Sequence, residues 1–302
     1  MNTQSNTMPE SFDSHRIAPE LSTTQPLLWS VRRELWENRS IYIAPLAVSV
    51  VMLFGFLIAT IGRAMSLDPA RRAAALTEPN DFAALVIMGT AFIVGIFYSL
   101  DALHSERRDR SILFWKSLPV SDITTVLSKA SIPLLVLPLL SFALTVATQW
   151  IMLLLSTAVL MGSGLSVAPL WIHMPLFQMW LLLLYHLVTV HVLWYAPIYG
   201  WLLLVSGWAR RAAFLWAALP WLAIGAVEKI AFNTTHFCAW LGYRISGSAA
   251  GGSFTSDNAS MDPLMHLTPG KFLITPGLWI GLAFFAVCIA AAVRLRRSQG
   301  PI

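Results

Sequence analysis

Charged residues are scarce in this sequence, and that scarcity excludes a soluble protein of ordinary composition. Asp, Glu, Lys and Arg make up 12% of the 302 residues, whereas soluble domains contain about 25%. A soluble chain of this length would form about two domains, each of which needs a charged surface. Apolar residues make up 57% of the chain, and its 13 tryptophans suit membrane interfaces. The composition therefore predicts an integral membrane protein.

Several motifs that carry chemistry are also missing. The two cysteines, Cys238 and Cys288, fall in different segments, and they provide neither a disulfide framework nor a metal site. The phosphate-binding pattern G-x-x-x-x-G-K-[ST] does not occur, because the one Gly-Lys pair, Gly270 and Lys271, is followed by Phe272. No H-E-x-x-H zinc motif occurs either. We therefore expect that this chain is not an enzyme by itself and binds no cofactor of its own.

Long apolar segments are what the sequence has in abundance. Six of them approach or exceed the roughly 20 residues that a membrane-spanning helix needs, at 41–62, 82–100, 132–162, 176–206, 212–231 and 277–293. The third and fourth exceed that length, so we expect them to tilt, to extend beyond the bilayer or to kink at Pro133, Pro138 or Pro197. The expected fold is all-α, a polytopic membrane protein with a six-helix transmembrane domain at 41–302.

The distribution of the 20 basic residues predicts the orientation. With six spans, both termini share one side with the loops 101–131 and 207–211. The N-terminal segment, these two loops and the C-terminal tail contain four, five, two and three Lys or Arg, 14 in all, against five on the opposite side. Because basic residues concentrate on the cytoplasmic side, we expect cytoplasmic termini and a location in the plasma (inner) membrane. The net charge of +5 then reflects topology, not nucleic-acid binding.

The N-terminal segment is expected to have two parts. Residues 1–26 are polar and lack the apolar core of a cleavable signal sequence, so we expect a disordered cytoplasmic tail. Residues 27–40 are typical of an amphipathic interfacial helix, with Trp29, Trp36 and other apolar residues on one arc. Arg32 and Arg39 interrupt that arc and could extend toward lipid phosphates. The alternative is a frayed extension of the first span.

The loop 101–131 carries the clearest functional pattern. Its charged first part is followed by large apolar residues on the side predicted to be cytoplasmic, a composition typical of protein-binding surfaces. The alternatives are a patch that lies on lipid headgroups and one folded under the chain's own helices. Ser121 is placed to cap a helix that starts at Asp122 and continues into the third span. The candidate contact residues are Glu106, Arg107, Arg108, Ile112, Leu113, Phe114, Trp115, Leu118, Pro119 and Ser121.

The same loop resembles the first cytoplasmic loop of type-2 ABC exporter permeases. The likeness lies in the pair Glu106 and Arg107 after the second span, the apolar run, the string SLPVS at 117–121 and Lys129. The six-span layout, the cytoplasmic termini and the amphipathic helix before the first span also resemble that family. The resemblance implies a coupling helix that docks on a separate ATPase subunit, which would hold ATP and Mg. It also implies that the permease works as a dimer with an identical or related copy.

Polar residues in the spans and in the outer loop 233–276 are further candidates. Residues 234–243 are apolar enough to dip into the membrane interface, and the family resemblance implies a re-entrant helix in this loop. An ordered surface loop is the alternative. Ionisable groups at membrane depth are functional candidates because burying them is costly. The possible pathway-lining residues are Tyr185, His186, His191, Tyr195, Glu228 and Lys229.

The alternatives for these polar residues are structural. Glu228 and Lys229 would then mark the end of the fifth span, and the histidines would form hydrogen bonds within the bundle. His186 and His191 are five residues apart and do not share a helix face as i, i+4 ligands would, which argues against a haem or metal site.

The expected function is that of a transmembrane permease subunit of an ATP-driven ABC exporter. It would form the substrate pathway as a dimer, with separate ATPase subunits, for an amphiphilic, lipid-like or peptide substrate. Two other classes stay open. One is an intramembrane enzyme or haem-bearing electron carrier that uses Glu228 and the histidines, and the other is a membrane assembly factor that transports nothing.

Overall fold

A computed structural model of the chain describes residues 24–63, 69–117, 120–162, 167, 171, 176–246 and 269–300. Every regular element within these ranges is helical, which confirms the all-α prediction. Most of the predicted tail, Leu118 and Pro119, and residues 247–268 of the outer loop lie outside the described residues.

The described part of the chain contains six helices that are long and apolar enough to cross a membrane, as the sequence predicts. They lie at Ser40–Ala59, Asn80–Arg108, Asp122–Gly162, Leu176–Trp194, Ala213–Phe232 and Pro276–Ser298. The third is 41 residues long. At about 1.5 Å per residue it is roughly twice as long as a hydrocarbon core is thick, which is more than one crossing needs.

The helices are numbered in chain order. They are α1 (Thr24–Glu37), α2 (Ser40–Arg63), α3 (Pro69–Asp101), α4 (His104–Arg108), α5 (Ser111–Ser117), α6 (Asp122–Ser131), α7 (Leu137–Gly162), α8 (Leu176–His186), α9 (Ala196–Trp208), α10 (Ala213–Phe232), α11 (His236–Ser246), α12 (Pro269–Ile274) and α13 (Pro276–Ser298). Two π-helical segments follow α6 and α8, at Ile132–Val136 and Leu187–Trp194. Helix α1 begins three residues before the predicted start, so residues 24–26 of the expected disordered tail are helical.

The fourth apolar segment, predicted at 176–206 with a possible kink at Pro197, is divided near that proline into a membrane-length helix and the shorter α9. Its π-helical part ends in a break at Tyr195, just before Pro197 in the first turn of α9. Proline has no N–H to donate, and its ring clashes with the carbonyl four residues earlier. Two residues before Pro197, the Tyr195 amide donates to the Val190 carbonyl at 2.9 Å. This bond runs from residue i to i−5, not to i−4 as in an α-helix, and therefore defines a π turn. Pro133, another predicted kink site, also lies in a π-helical segment.

Helix α9 packs against α3 and α13, and this three-helix contact forms much of the interior. Tyr199 of α9 is buried there. A Cβ at Gly95 of α3 would lie 3.0 Å from Tyr199 Cε1, and one at Gly200 of α9 would lie 2.6 Å from Phe285 Cδ2. Glycine at these two positions therefore lets neighbouring side chains approach the helix backbone, a packing typical of membrane helices.

Helix α10 contributes little to that interior. Ala213, Ala217 and Gly225 are its buried residues, while Leu222 and Ile230 are 72% and 85% exposed. An apolar surface of this kind suits contact with lipid or with a second protein chain.

Candidate functional site

The α3–α6 loop, residues 102–121, contains two short helices that differ in the exposure of their side chains. Glu106 and Arg107 of α4 are buried, whereas Leu113 and Phe114 of α5 are 58% and 60% exposed. Arg110, between the two helices, has a φ of 58°. This left-handed conformation is uncommon for a residue other than glycine, and it turns the chain between α4 and α5.

Next to this loop lies a largely buried cluster of charged side chains, which we call the ionic junction. Lys129 of α6 is at its centre, with Nζ 2.8 Å from Glu34 Oε1 and 3.1 Å from Glu106 Oε1. Arg33 Nη2 lies 2.7 Å from the same Glu34 oxygen and 3.2 Å from the same Glu106 oxygen. The members of the ionic junction are Arg33, Glu34, Glu106, Asp122, Lys129 and Arg296.

Helix α13 joins the ionic junction through Arg296. Its guanidinium pairs with Glu106 Oε2, and its Nε lies 3.1 Å from Asp122 Oδ1. The junction therefore combines three carboxylates with three cations and connects α1, α4, α6 and α13. Because each charge has an opposite charge within hydrogen-bonding distance, its burial does not leave an isolated ion.

Glu34 has the least exposed side chain in the ionic junction, at 1%. Burial by itself would raise the pKa of Glu34, but the Lys129 ammonium, the Arg33 guanidinium and a hydrogen bond that the Tyr98 hydroxyl donates at 2.9 Å hold this pKa below its usual value. Glu34 is therefore ionised at neutral pH. In that state it joins α1 to α3 and α6.

A separate set of contacts fixes α4 to the end of α9. The backbone amides of Leu103 and His104 both donate to Ser206 Oγ at 2.9 Å. Arg107 Nη1 donates to the Gly207 carbonyl oxygen at 2.6 Å. The start of the loop is thus attached to α9 as well as to the ionic junction. A displacement of α4 would therefore shift or break its contacts with both.

Helix α5 rests on the ionic junction and presents an apolar surface on its other side. Ile112 is buried beneath the helix. The Arg33 guanidinium lies 3.7 Å from the Trp115 ring centroid, a cation–π contact that joins α5 to α1. Phe114 packs edge-on against Trp115, with ring centroids 5.0 Å apart. We call the exposed pair Leu113 and Phe114 the α5 apolar surface.

The predicted cap at Ser121 is confirmed. Ser121 Oγ accepts a hydrogen bond from the Thr124 amide at 3.1 Å, and α6 begins at Asp122. The cap fixes the point at which the loop returns to helix, directly before a member of the ionic junction. Because α6 continues through a π-helical segment into α7, the third span begins at the loop itself.

The structure divides the predicted contact residues into two groups. Exposed residues available to a partner are Arg108, Leu113, Phe114 and Ser121, with Trp115 partly exposed. Glu106, Arg107 and Ile112 are buried, and the first two are engaged by polar contacts within the chain. The first group can bind a partner directly, whereas the second can only position the loop.

Sequence reasoning missed most of the ionic junction. Glu34 falls on the polar arc of α1, and Arg296 was counted only as one of the basic residues that predict topology. The available signal was Lys129, whose charge stands just before the apolar third span and needs a partner when buried. Which carboxylates it would meet does not follow from the pattern, since Glu34 is 95 positions away.

Glu228 and Lys229, predicted as possible pathway residues, have different surroundings. The Glu228 carboxylate accepts hydrogen bonds from the His236 amide at 2.7 Å and the Phe237 amide at 2.8 Å. It also accepts one from the Thr234 hydroxyl at 2.8 Å. These contacts make Glu228 a cap for the N-terminus of α11, which stabilises that helix against α10. Lys229 is exposed.

The polar and aromatic residues near the break in the fourth segment form a row of rings. The His186 and His191 ring centroids are 6.1 Å apart, and those of His191 and Tyr195 are 5.6 Å apart. The Tyr195 hydroxyl donates to the Ile245 carbonyl at 2.8 Å. Buried His191 Nδ1 has no hydrogen-bond partner among the described residues. Three of the predicted residues are thus brought together, and Tyr195 links them to α11. The expectation that His186 and His191 do not share a helix face is wrong, because the segment after His186 is π-helical and not α-helical.

The outer loop contains the helix α11 across most of the stretch predicted to dip into the interface. Arg244 of α11 is buried, with its guanidinium 4.1 Å from the Trp194 ring centroid and Nη1 3.0 Å from the Gly277 carbonyl oxygen. Burial lowers the pKa of Arg244 from its usual value. Trp194 Nε1 in turn donates to the Arg244 carbonyl at 2.9 Å. These contacts hold α11 against the fourth segment and the start of α13.

Comparisons with protein-family models, with curated proteins and with solved structures find no match to this chain. The function is therefore inferred from the arrangement of the chain's own residues. In that arrangement α5 exposes apolar residues and contacts the ionic junction, which connects α1, α4, α6 and α13.

Proposed function

We propose that this chain is a membrane permease subunit whose α3–α6 loop docks on a separate ATPase. One observation carries the proposal. The α5 apolar surface is exposed, while α5 itself is attached to the ionic junction through the contact between Trp115 and Arg33. An exposed pair of large apolar residues flanked by charge suits a protein partner. A loop that served only to connect two spans would need no such buried attachment.

The ionic junction supplies a route by which force on α5 reaches the spans. Trp115 contacts Arg33 of α1, and Arg33 contacts Glu106 of α4. Lys129 and Arg296 extend these contacts to α6 and α13, which lead into the third and sixth spans. ATP-driven closure of the partner subunits would push on α5 and shift these helices as a unit.

Assembly and orientation complete the proposal. The exposed apolar side of α10 suits contact with a second permease copy, and two copies would form the substrate pathway between them. The distribution of basic residues supports cytoplasmic termini in the plasma (inner) membrane, and in that orientation α5 would lie where ATP is available. The proposed substrate class is amphiphilic, lipid-like or peptide, and the proposed direction is export.

A paired substitution on α5 tests the docking surface. We expect Leu113→Ala with Phe114→Ala to lower the amount of copurifying ATPase at least about tenfold, because truncating central apolar contacts removes most of an interface's binding energy. The measurement is affinity purification of the full-length chain from its native membranes. Mass spectrometry then quantifies ATPase peptides that contain a phosphate-binding loop.

The matched control is Leu135→Ala with Leu139→Ala, which truncates two apolar residues of similar exposure, 50% and 55%, away from the loop. This control should retain the ATPase. Equal retention by both double variants, or no ATPase with the unsubstituted chain, would contradict the docking proposal. A non-transporting assembly factor would keep the ATPase but show no substrate-stimulated ATP hydrolysis after reconstitution in liposomes.

A further inference from the structure

The outward side of α1 carries a stripe of aromatic and basic residues. The Arg32 guanidinium lies 5.7 Å from the Trp29 ring centroid and 5.3 Å from the Trp36 ring centroid. Trp29 and Trp36 are 66% and 70% exposed. The spacing of three and four residues puts all three side chains on one helix face. We call Trp29, Arg32 and Trp36 the α1 stripe.

The opposite side of α1 packs against the rest of the protein, so the stripe points outward. Val31 and Leu35 pack against the interior cluster that includes Ile41. Glu34 is held in the ionic junction. Arg32 forms no ion pair with a carboxylate in the part of the chain that the structure describes. The stripe is therefore an outward-facing surface on which the Arg32 guanidinium contacts two aromatic rings.

The position of the stripe in the chain places it beside the membrane. Asn38 and Arg39 alone separate α1 from α2, which is long and apolar enough to cross the bilayer. Arg39 is exposed as well. Tryptophan favours the headgroup region because its ring is apolar and its N–H is polar. Arginine suits phosphate because its planar fork donates two parallel hydrogen bonds to the oxygens.

We propose that the α1 stripe, together with Arg39, binds the headgroups of anionic phospholipids. The two indoles lie at the level of the headgroups, and the guanidinium held between them faces a lipid phosphate. A neutral amphipathic surface would require only the tryptophans and Leu28, so the central arginine makes the surface selective for negative charge. This proposal goes beyond the permease role and depends only on insertion of α2 in a bilayer.

The consequence is a link between lipid composition and the ionic junction. Anionic lipid binds one side of α1, and Lys129 binds Glu34 on the other side. The helix is therefore held on both faces. Loss of the lipid contact would loosen α1 while the six spans stay in place.

Amide hydrogen exchange of the full-length protein in lipid nanodiscs tests this inference. We expect the amides of α1 to exchange more slowly in nanodiscs that contain phosphatidylglycerol than in pure phosphatidylcholine. Arg32→Gln and Arg39→Gln should each reduce that difference by about fivefold, the factor expected for one basic residue near an anionic surface. Arg211→Gln is the matched control, because Arg211 is an exposed arginine in the loop between α9 and α10.

The variants distinguish a specific lipid contact from misfolding and from overall charge. Unchanged exchange in the six spans shows that each variant is folded, and Arg211→Gln should keep the full lipid difference. Equal exchange of α1 in both lipids would overturn the proposal, as would a full difference in Arg32→Gln. A loss of equal size in Arg211→Gln would also overturn it, because overall charge would then be sufficient. Protection of α1 by inorganic phosphate in phosphatidylcholine nanodiscs would contradict a lipid surface as the ligand.

Discussion

Lys129 is the least exposed cation of the ionic junction, and it pairs with two of the junction's carboxylates. Its ammonium lies within 3.1 Å of carboxylate oxygens on both α1 and α4, and its side chain is 3% exposed. A buried ion pair is weak evidence for stability, because desolvation offsets much of the attraction between the charges. Removal of Lys129 is destabilising, because the carboxylates of Glu34 and Glu106 then stay buried with too little positive charge.

The Lys129→Met variant tests this role. It keeps the length of the side chain and removes the charge, so we expect the free energy of unfolding to fall by about 3 kcal/mol or more. Denaturant unfolding in mixed micelles measures the change. Adding Glu34→Gln should recover part of the loss, because the second substitution removes a carboxylate that the first one leaves unpaired.

The control for this prediction is Lys116→Met. Lys116 is exposed and donates to the Gln299 carbonyl at 3.0 Å, without a carboxylate partner in the described chain. Its substitution should leave unfolding unchanged. Strictly additive effects of Lys129→Met and Glu34→Gln would contradict a shared buried network.

At the scale of the helices, the close contact between α9 and α13 depends on the absence of a side chain. A Cβ at Gly200 would lie 2.6 Å from Phe285 Cδ2 and 3.4 Å from Phe285 Cα. The first of these distances is too short for an unshifted ring. The contact matters for function because α13 carries Arg296 in its last turn, so a shift of α13 changes the geometry of the ionic junction.

The Gly200→Ala variant tests the close approach. Although alanine favours helix more than glycine does, we expect a net destabilisation of about 1–3 kcal/mol from the displaced ring. Thermal unfolding of the purified protein measures it, and Phe285→Leu in the same chain should restore part of the stability. Gly55→Ala is the control, because nothing lies within 4 Å of a Cβ at Gly55. Equal stability of both alanine variants would show that the approach at Gly200 is unimportant.

The elements themselves were largely predictable from the sequence. Long apolar runs locate the six spans because a bilayer requires about 20 helical residues, and the cap at Ser121 follows from local chemistry. Proline chemistry also predicted irregular helix at Pro133 and near Pro197. The exact break at Tyr195 was not predictable, because several backbone adjustments can satisfy the hydrogen bonds that a proline frees.

The ionic junction could not be predicted for a different reason. Arg296 and Glu106 are 190 positions apart, and no local periodicity specifies contacts at that distance. The amphipathic pattern of α1 even placed Glu34 on the polar arc, whereas the fold buries it. Ion pairs between helices that are distant in sequence can be predicted only when the packing of those helices is known.

At the scale of the whole molecule, the loop, the ionic junction and three of the spans form one connected path. It begins at the α5 apolar surface, passes through Trp115 and Arg33, and divides at Glu106 and Lys129 toward α6 and α13. Glu34 of α1 adds a branch to α3 of the second span, because it accepts a hydrogen bond from the Tyr98 hydroxyl. This connectivity is what the proposed ATPase partner would act upon.

The most direct test of the docking claim is a site-specific crosslink from α5 in native membranes. A photoreactive amino acid in place of Phe114 should crosslink the chain to an ATPase subunit, identified by a peptide that contains its phosphate-binding loop. The same photoreactive amino acid in place of Leu139, an exposed apolar residue of α7, should crosslink to lipid or to another copy and not to the ATPase. Crosslinks from Phe114 that reach only lipid or this chain would contradict the account.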